Sequence, residues 1–392
     1  MIERIKNNVN NFFLVRNENF TLISISLCKF LYGFYTAAVG SLLVPIGETF
    51  NVGIKIQSIV FPFNYFGQIV IIFFVGYFAD RLGKKIVHIT SLALLGFFAL
   101  IFSYAESFYL ILFLFLFMGI FGISINTIAD ASISDSFLKK KGFYLNIAHV
   151  FFGLGAMTSP VIFNLILSMT GDFRTIYFIL FIISFLILFL ISVSRYPSVN
   201  DEKIKLAAVM ELLRNKRFLY LCVFAFFSMG SQHAVSGWIP TLFQKNLDIS
   251  QSLSNYSLSV FWLSIVAGRI LMAFLSHRFR EYFLLRILNF ITFFILALSF
   301  FLKSYVFLII NYMVFGLLIG GFVPLIIAYS AEIYPRYSTT RVAIIFSFGT
   351  TGMLIISTVV GMLGQYFQIY KVIAFTAAAF LAYIFIFYRK MK

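Results

Sequence analysis

Twelve apolar stretches follow one another along this chain with only short links between them. Each is near the length a helix needs to cross a bilayer, about 20 residues. They fall at roughly residues 20–47, 54–79, 86–104, 109–134, 143–169, 174–194, 217–244, 252–276, 283–302, 304–331, 341–367 and 370–388. Of the 392 residues, 61% are hydrophobic and only 11% charged, and the mean hydropathy is +0.98. A water-soluble core of ordinary proportions cannot account for that composition. The bilayer is the solvent, and the expected fold class is an all-α membrane protein of twelve transmembrane helices.

Lys and Arg near helix ends stay on the cytoplasmic side, so the links set the orientation. Of the 30 Lys and Arg residues, 23 lie at ends and loops that one consistent topology places inside; five lie outside, at Lys55, Arg174, Lys245, Lys303 and Lys371. Only Lys29 and Arg269 fall within the segments away from their ends. The expectation is a multi-pass protein of the cell membrane with both termini in the cytoplasm. The same asymmetry explains the net charge of +16, which in a soluble chain would have suggested nucleic acid. Residues 1–19 are polar and mixed in charge, and the first apolar run is too long for a signal-peptide core, so no cleavable leader is expected.

Several chemistries find no support. Cys28 and Cys222 are the only cysteines, both within segments, so neither a disulfide framework nor a Cys/His metal cluster is expected. No Gly-rich phosphate loop ending in Lys-Ser/Thr occurs, which argues against ATP hydrolysis. No convergent nucleophile, base and metal set points to an enzyme. No cofactor is implied.

The chain echoes itself at about half its length. Asp80-Arg81 after segment 2 matches His277-Arg278 after segment 8, and Asp135 after segment 4 matches Glu332 after segment 10, both 197 positions apart. Phe152-Gly153 and Phe348-Gly349 are 196 apart. Six segments per half is an even number, so the halves share an orientation and form two bundles about an axis along the membrane normal. The expected division is an N-terminal six-helix bundle over 1–194, a cytoplasmic linker over 195–216 and a C-terminal six-helix bundle over 217–392.

Between segments 2 and 3 the chain reads Gly76-Tyr-Phe-Ala-Asp80-Arg81-Leu-Gly83-Lys84-Lys85. This loop resembles the characteristic loop of the major facilitator superfamily, and Glu332, Tyr334, Pro335 and Arg341 resemble that family's loop between helices 10 and 11. A narrower resemblance is to the fucose/glucose/galactose permease-like branch. It is carried by Leu145-Asn146-Ile147-Ala148-His149, Phe152-Gly153-Leu154-Gly155-Ala156 and Pro160, with Gly230, Gly237-Trp238, Phe261-Trp262 and Gly268-Arg269 in support. The resemblance implies the major facilitator fold and secondary transport by alternating access. It also implies an acid on helix 4 four positions before an Asn, whereas here Asn126 precedes Asp130. Ser41 stands on segment 1 where an acid would be expected, and segment 7 has Gln232.

The expected gate comprises Gly76, Asp80, Arg81, Gly83, Lys84, Asp135, Arg278, Glu332 and Arg341. Asp80 would accept hydrogen bonds from the unpaired N–H groups opening segment 11, near Ser338 to Arg341, where the helix dipole favours an anion. Arg81 with Asp135, and Arg278 or Arg341 with Glu332, would complete a charge network that opens as the bundles rock. Alternatively, these residues form a solvated loop that only sets topology.

The expected pocket lies at mid-membrane between the halves. Spacings of three or four residues put Asn64 and Gln68, Asn126 and Asp130, and Asn146 and His149 each on one helix face. Gln232, His233 and Asn311 add further amides and an imidazole, and Trp238 and Trp262 offer faces for a sugar ring. Groups that both donate and accept suit a neutral, hydroxyl-rich solute. The same polar residues also serve simply to hold transmembrane helices together, and Trp238 fits an interfacial belt equally well. For proton coupling the candidates are Asp130, Lys29 and His149, with a Lys29–Asp130 ion pair expected.

The reading is a secondary transporter for a small polar solute, with sugars as candidates, partnered by the bilayer and by a coupling proton or sodium ion. An efflux carrier for amphipathic compounds and a non-transporting receptor on the same fold are the alternatives.

Overall fold

The computed structural model describes residues 18–136, 141–196, 206–276, 278–334 and 338–390. The first half comprises α1 (Glu18–Phe50), α2 (Val60–Leu82), α3 (Lys84–Phe102), α4 (Phe108–Ser136), α5 (Lys141–Thr170) and α6 (Thr175–Val193). The second comprises α7 (Lys216–Leu247), α8 (Gln251–Ser276), α9 (Glu281–Leu298), α10 in two segments (Tyr305–Ile319 and Phe322–Ile333), α11 (Ser338–Gly364) and α12 in two segments (Ile369–Phe375 and Ala377–Lys390). Among the described residues, ten helices are long and apolar enough to cross a membrane, the two segments of α10 counting as one span. The 23-residue α2 and the two-part α12 complete the twelve. A short helix, Leu206–Arg214, lies between the sixth and seventh.

Three helices are interrupted where hydropathy alone shows continuous runs. Segment 2 begins as a single turn, Ile54–Gln57, before α2 restarts at Val60; the Ser58 hydroxyl donates to the Lys55 carbonyl at 2.7 Å across the break. α12 breaks at Thr376, whose hydroxyl donates to the Ile373 carbonyl at 2.7 Å. In both places a hydroxyl takes up a carbonyl of the preceding turn. α10 breaks at Gly320-Gly321, where the second half packs too tightly for side chains: a Cβ on Gly320 would lie 2.4 Å from the Ile265 carbonyl oxygen of α8.

Lipid supplies no hydrophobic drive for helix association, so close approach through small residues must supply dispersion contacts instead. The halves use the same device at equivalent positions. A Cβ on Gly155 of α5 would lie 2.0 Å from the Phe30 carbonyl oxygen of α1, and one on Gly352 of α11 would lie 1.9 Å from the Phe226 carbonyl oxygen of α7. Gly155 and Gly352 are 197 positions apart, the offset of the charged loops, and Phe30 and Phe226 are 196 apart, the offset of the Phe-Gly pairs. The α1/α5 crossing of one bundle is therefore repeated as the α7/α11 crossing of the other. The halves meet through α1 on α7, α2 on α11 and α5 on α8.

Candidate functional site

Residues from α1, α4 and α5 converge inside the first half. Lys29 on α1 is fully buried; its Nζ lies 2.8 Å from both carboxylate oxygens of Asp130 on α4 and donates to Asn126 Oδ1 at 2.7 Å. Asn126 and Asp130 stand four apart on one helix, so one turn presents an amide oxygen and a carboxylate to the same ammonium. His149 of α5 brings Nε2 to 3.7 Å from Asp130 Oδ1. The side chains of Asp130 and His149 remain 30% and 37% exposed, whereas Lys29 has no exposure. The ammonium is sealed in the bundle and the carboxylate opens from it.

Aromatic rings carry this cluster across to the second half. Phe152, one turn beyond His149, packs 5.8 Å from the Tyr32 ring on α1 and 5.9 Å from the Trp262 ring on α8. Arg269 of α8 lies over the same Phe152 ring at 5.8 Å. Tyr65 of α2 reaches His233 Nδ1 of α7 at 3.0 Å, and the His233 ring stands edge-on to Trp262. Gly153 lets α5 and α8 touch, since a Cβ there would come within 2.3 Å of Val266.

The two ends of the molecule differ. At the end where α1 finishes, Lys245 Nζ donates to Glu48 Oε1 at 2.8 Å, and the Lys55 amide donates to Gln365 Oε1 at 3.3 Å. Below these contacts the Trp238 ring meets Phe61 at 5.5 Å, and a Cβ on Gly361 would lie 2.3 Å from the Ser58 Cβ. All four contacts join one half to the other and seal this end. At the opposite end, a Cβ on Gly76 near the close of α2 would meet nothing within 4 Å.

Residues 25–310 match the family model of the Major Facilitator Superfamily. The chain belongs to that superfamily. It is similar to a protein named Protein TsgA homolog from Buchnera aphidicola subsp. Baizongia pistaciae (strain Bp), 25% identical over 360 residues, covering 89% of this chain and 91% of the relative. It is also similar to the Glucose/mannose transporter GlcP of Bacillus subtilis (strain 168), 25% identical over 229 residues, about half of each chain (54% and 55%). Among solved structures, a variant of the E. coli fucose:proton symporter FucP superposes with a TM-score of 0.68 at 20% identity, over 95% of this chain and 99% of that one. A bacterial homolog of the human lysosomal transporter Spinster, captured inward-facing and occupied, gives 0.79 at 14% identity, over 94% and 96%.

The characteristic major facilitator loop is partly visible. Gly83 joins α2 to α3 at φ 87°, a left-handed conformation that favours glycine. Arg81 is exposed and stacks over Tyr77 at 4.7 Å, and Lys84 opens α3. Lys85 donates to the carbonyls of Ser192 and Ser194 at 2.6 and 3.0 Å, a cation at the C-terminal end of α6. Arg278 and Glu332 are exposed, while Arg341 is buried and donates to the Tyr334 carbonyl at 2.5 Å. The side chains of Asp80 and Asp135 lie outside the described residues, as do His277 and Pro335. So does the side chain of Asn146.

Several residues expected to line the pocket are engaged elsewhere. Asn64 donates to the Tyr35 hydroxyl and to the Phe115 carbonyl, Gln68 donates to Asn64 Oδ1 at 2.8 Å, and Tyr32 donates to Gln68 Oε1 at 3.3 Å. That chain ties α1, α2 and α4 together inside one half. Asn311 donates to the Ile295 carbonyl of α9 at 2.9 Å, within the second half. Trp238 is fully buried with its indole N–H given to the Ser357 carbonyl at 2.8 Å, so it belongs to the sealed end and offers no free face or donor here. Gln232 is buried on α7, one position before His233. The residue sequence reasoning underused is Arg269; its position as one of two cations within the segments was the available signal.

Proposed function

We propose that this major facilitator protein is a secondary active transporter that carries a small polar, hydroxyl-bearing solute of the sugar class by alternating access. The observation that carries the reading is the asymmetry of the two ends around a polar centre. Contacts between the halves close the Glu48–Lys245 end, α2 stands clear at Gly76, and Lys29, Asp130, His149 and Arg269 lie between. With the excess of Lys and Arg at the Gly76 end assigned to the cytoplasm, both termini are cytoplasmic and this is the inward-open state. Rocking of the bundles 1–194 and 217–392 about the centre would break the far seal and bring α2 onto α11 at Gly76, the gate residues around Asp80 and Arg341 closing behind.

Asp130 is the coupling group in this reading. It faces two nitrogen partners of its own bundle, a buried ammonium at 2.8 Å and an imidazole at 3.7 Å, so a proton taken up by the carboxylate would leave the ammonium uncompensated and couple protonation to the state of the centre. The names of two relatives, the fucose:proton symporter and the glucose/mannose transporter, support proton coupling and a sugar-class solute as proposals for this chain. The aromatic wall of Tyr32, Phe152 and Trp262 favours efflux of amphipathic compounds as the second reading.

The test is flux in proteoliposomes with an imposed pH gradient, using neutral sugars (glucose, galactose, fucose), sugar acids (glucuronate, galacturonate, gluconate) and amphipathic dyes. Sugar entry with alkalinisation that disappears in Asp130→Asn is expected. Dye extrusion without sugar flux would favour the second reading, and binding without turnover would identify a receptor.

A further inference from the structure

Around Phe152, helix α8 presents three buried donor atoms to which no residue of the described protein offers an acceptor. They are the indole Nε1 of Trp262 and the Nε and Nη1 of Arg269. Seven positions apart, these residues share one helix face, and they flank the same ring, Phe152, at 5.9 and 5.8 Å. That ring is the bridge from the second half to the Tyr32, Lys29 and His149 side of the first. Phe152 stands one turn from His149 and packs on Tyr32, three positions from Lys29, so the α8 donors and the first-half cluster share one centre.

Arg269 is partly buried, with Nε and Nη1 sealed and without an acceptor; leaving such donors unpaired is expensive, and proteins keep such a group where a ligand completes it. The chemistry of that ligand follows from what is missing. All three orphaned atoms are donors, so the complement must accept. Lys29 and Asp130 cancel one another, so Arg269 is the fixed charge left uncompensated among the described residues at the centre. A single negative charge balances it, whereas a phosphate monoester dianion would overshoot. The planar fork of a guanidinium matches a carboxylate, and the indole N–H one face along can bind a neighbouring hydroxyl.

We propose that the carried solute is a monocarboxylate polyol, a sugar acid rather than a neutral sugar, with its carboxylate seated on Arg269. This rests on the reading of the centre as a solute site. Asn126, His149 and Trp262 would bind the hydroxyls, and the neutral-sugar expectation drawn from amides alone is thereby narrowed.

The test uses purified full-length protein and paired probes, glucuronate, galacturonate and gluconate against glucose and galactose, with glucose 6-phosphate as the dianion, read by titration calorimetry and thermal shift. At least one acid is expected to bind about ten- to a hundredfold more tightly than its neutral counterpart, the span of a charge-assisted contact. Arg269→Gln should erase that difference, Arg269→Lys should retain part of it, and the unliganded Arg269→Gln protein should melt at or above the wild-type temperature because an unpaired, partly sealed charge has been removed. Equal binding of acid and neutral sugar, acid binding that survives Arg269→Gln, binding of none of the acids, or a marked fall in the melting temperature of unliganded Arg269→Gln would overturn the proposal. The carrier reading fails separately: it falls if a solute that binds is never moved across proteoliposomes, whatever its charge.

Discussion

Lys29 and Asp130 face each other across α1 and α4 at 2.8 Å, with the ammonium wholly buried and the carboxylate 30% exposed. The pair is asymmetric. Among the described residues, Lys29 has only Asn126 and Asp130 as hydrogen-bonded partners, whereas Asp130 also lies near His149 and keeps part of its surface exposed. A change at the carboxylate is therefore felt by a charge that cannot reach water.

Removing one member strands the other. Asp130→Asn should lower stability by about 3 kcal/mol, because breaking a buried pair leaves an uncompensated charge. Lys29→Met with Asp130→Asn should recover most of that loss. Thermal unfolding of the single and double variants as a double-mutant cycle measures the coupling.

The repeated glycine crossing gives a prediction about the fold alone. Gly155→Ala and Gly352→Ala each place a Cβ about 2 Å from a backbone carbonyl oxygen, which cannot rotate away. Each should cost about 1–3 kcal/mol as the helices are forced apart. Equal losses in the two variants, read as melting temperatures in detergent, would reflect the equivalence of the two bundles.

At the sealed end, the ion pair and the tryptophan should behave differently. Lys245 and Glu48 are 43% and 65% exposed, so Lys245→Ala should change stability by less than about 1 kcal/mol. Trp238→Ala removes a fully buried ring that packs on Phe61 and covers Gly361, and should cost about 3–5 kcal/mol. Labelling of a cysteine placed at Gln232 by an impermeant thiol reagent added from outside should rise in Trp238→Ala and stay unchanged in Lys245→Ala.

Gly76 separates folding from transport. Its Cβ position is open, so Gly76→Leu should leave the melting temperature within about 0.5 kcal/mol of wild type. The same side chain should obstruct approach of α2 to α11 and abolish turnover in proteoliposomes. Full transport by a well-folded Gly76→Leu protein would show that the near end does not close at this residue.

The number of spans was legible because hydropathy integrates over a whole helix, and lipid tolerates little ambiguity across about 20 residues. The breaks at Ser58, Gly320 and Thr376 were not, since a single turn hardly alters that average. The repeat was legible through charged loop markers, although Gly155 and Gly352 express it more directly by the backbones they let meet. Lys29 and Asp130 stood out because ionised residues within spans are rare enough to seek each other. For Asn64, Gln68, Asn311 and Trp238 the sequence does not reveal the hydrogen-bond partners they have on neighbouring helices. A buried polar group can bind a solute or a neighbouring helix, and only the position of its partner decides. Arg269 was visible as a cation, but its lack of an acceptor is a fact of three dimensions.

The central claim is that the halves rock about the Lys29–Asp130 centre. Spin labels at Asn51 and Asp248 for the sealed end, and at Leu82 and Arg278 for the open end, test it by pulsed electron-spin distance measurements in nanodiscs with Cys28 and Cys222 replaced. These four positions are exposed and lie in different halves at each end. As pH and added solute are varied, the account predicts that the Asn51–Asp248 distance lengthens in the same population in which the Leu82–Arg278 distance shortens. Distances that stay fixed under every condition, or that lengthen and shorten together, would contradict it.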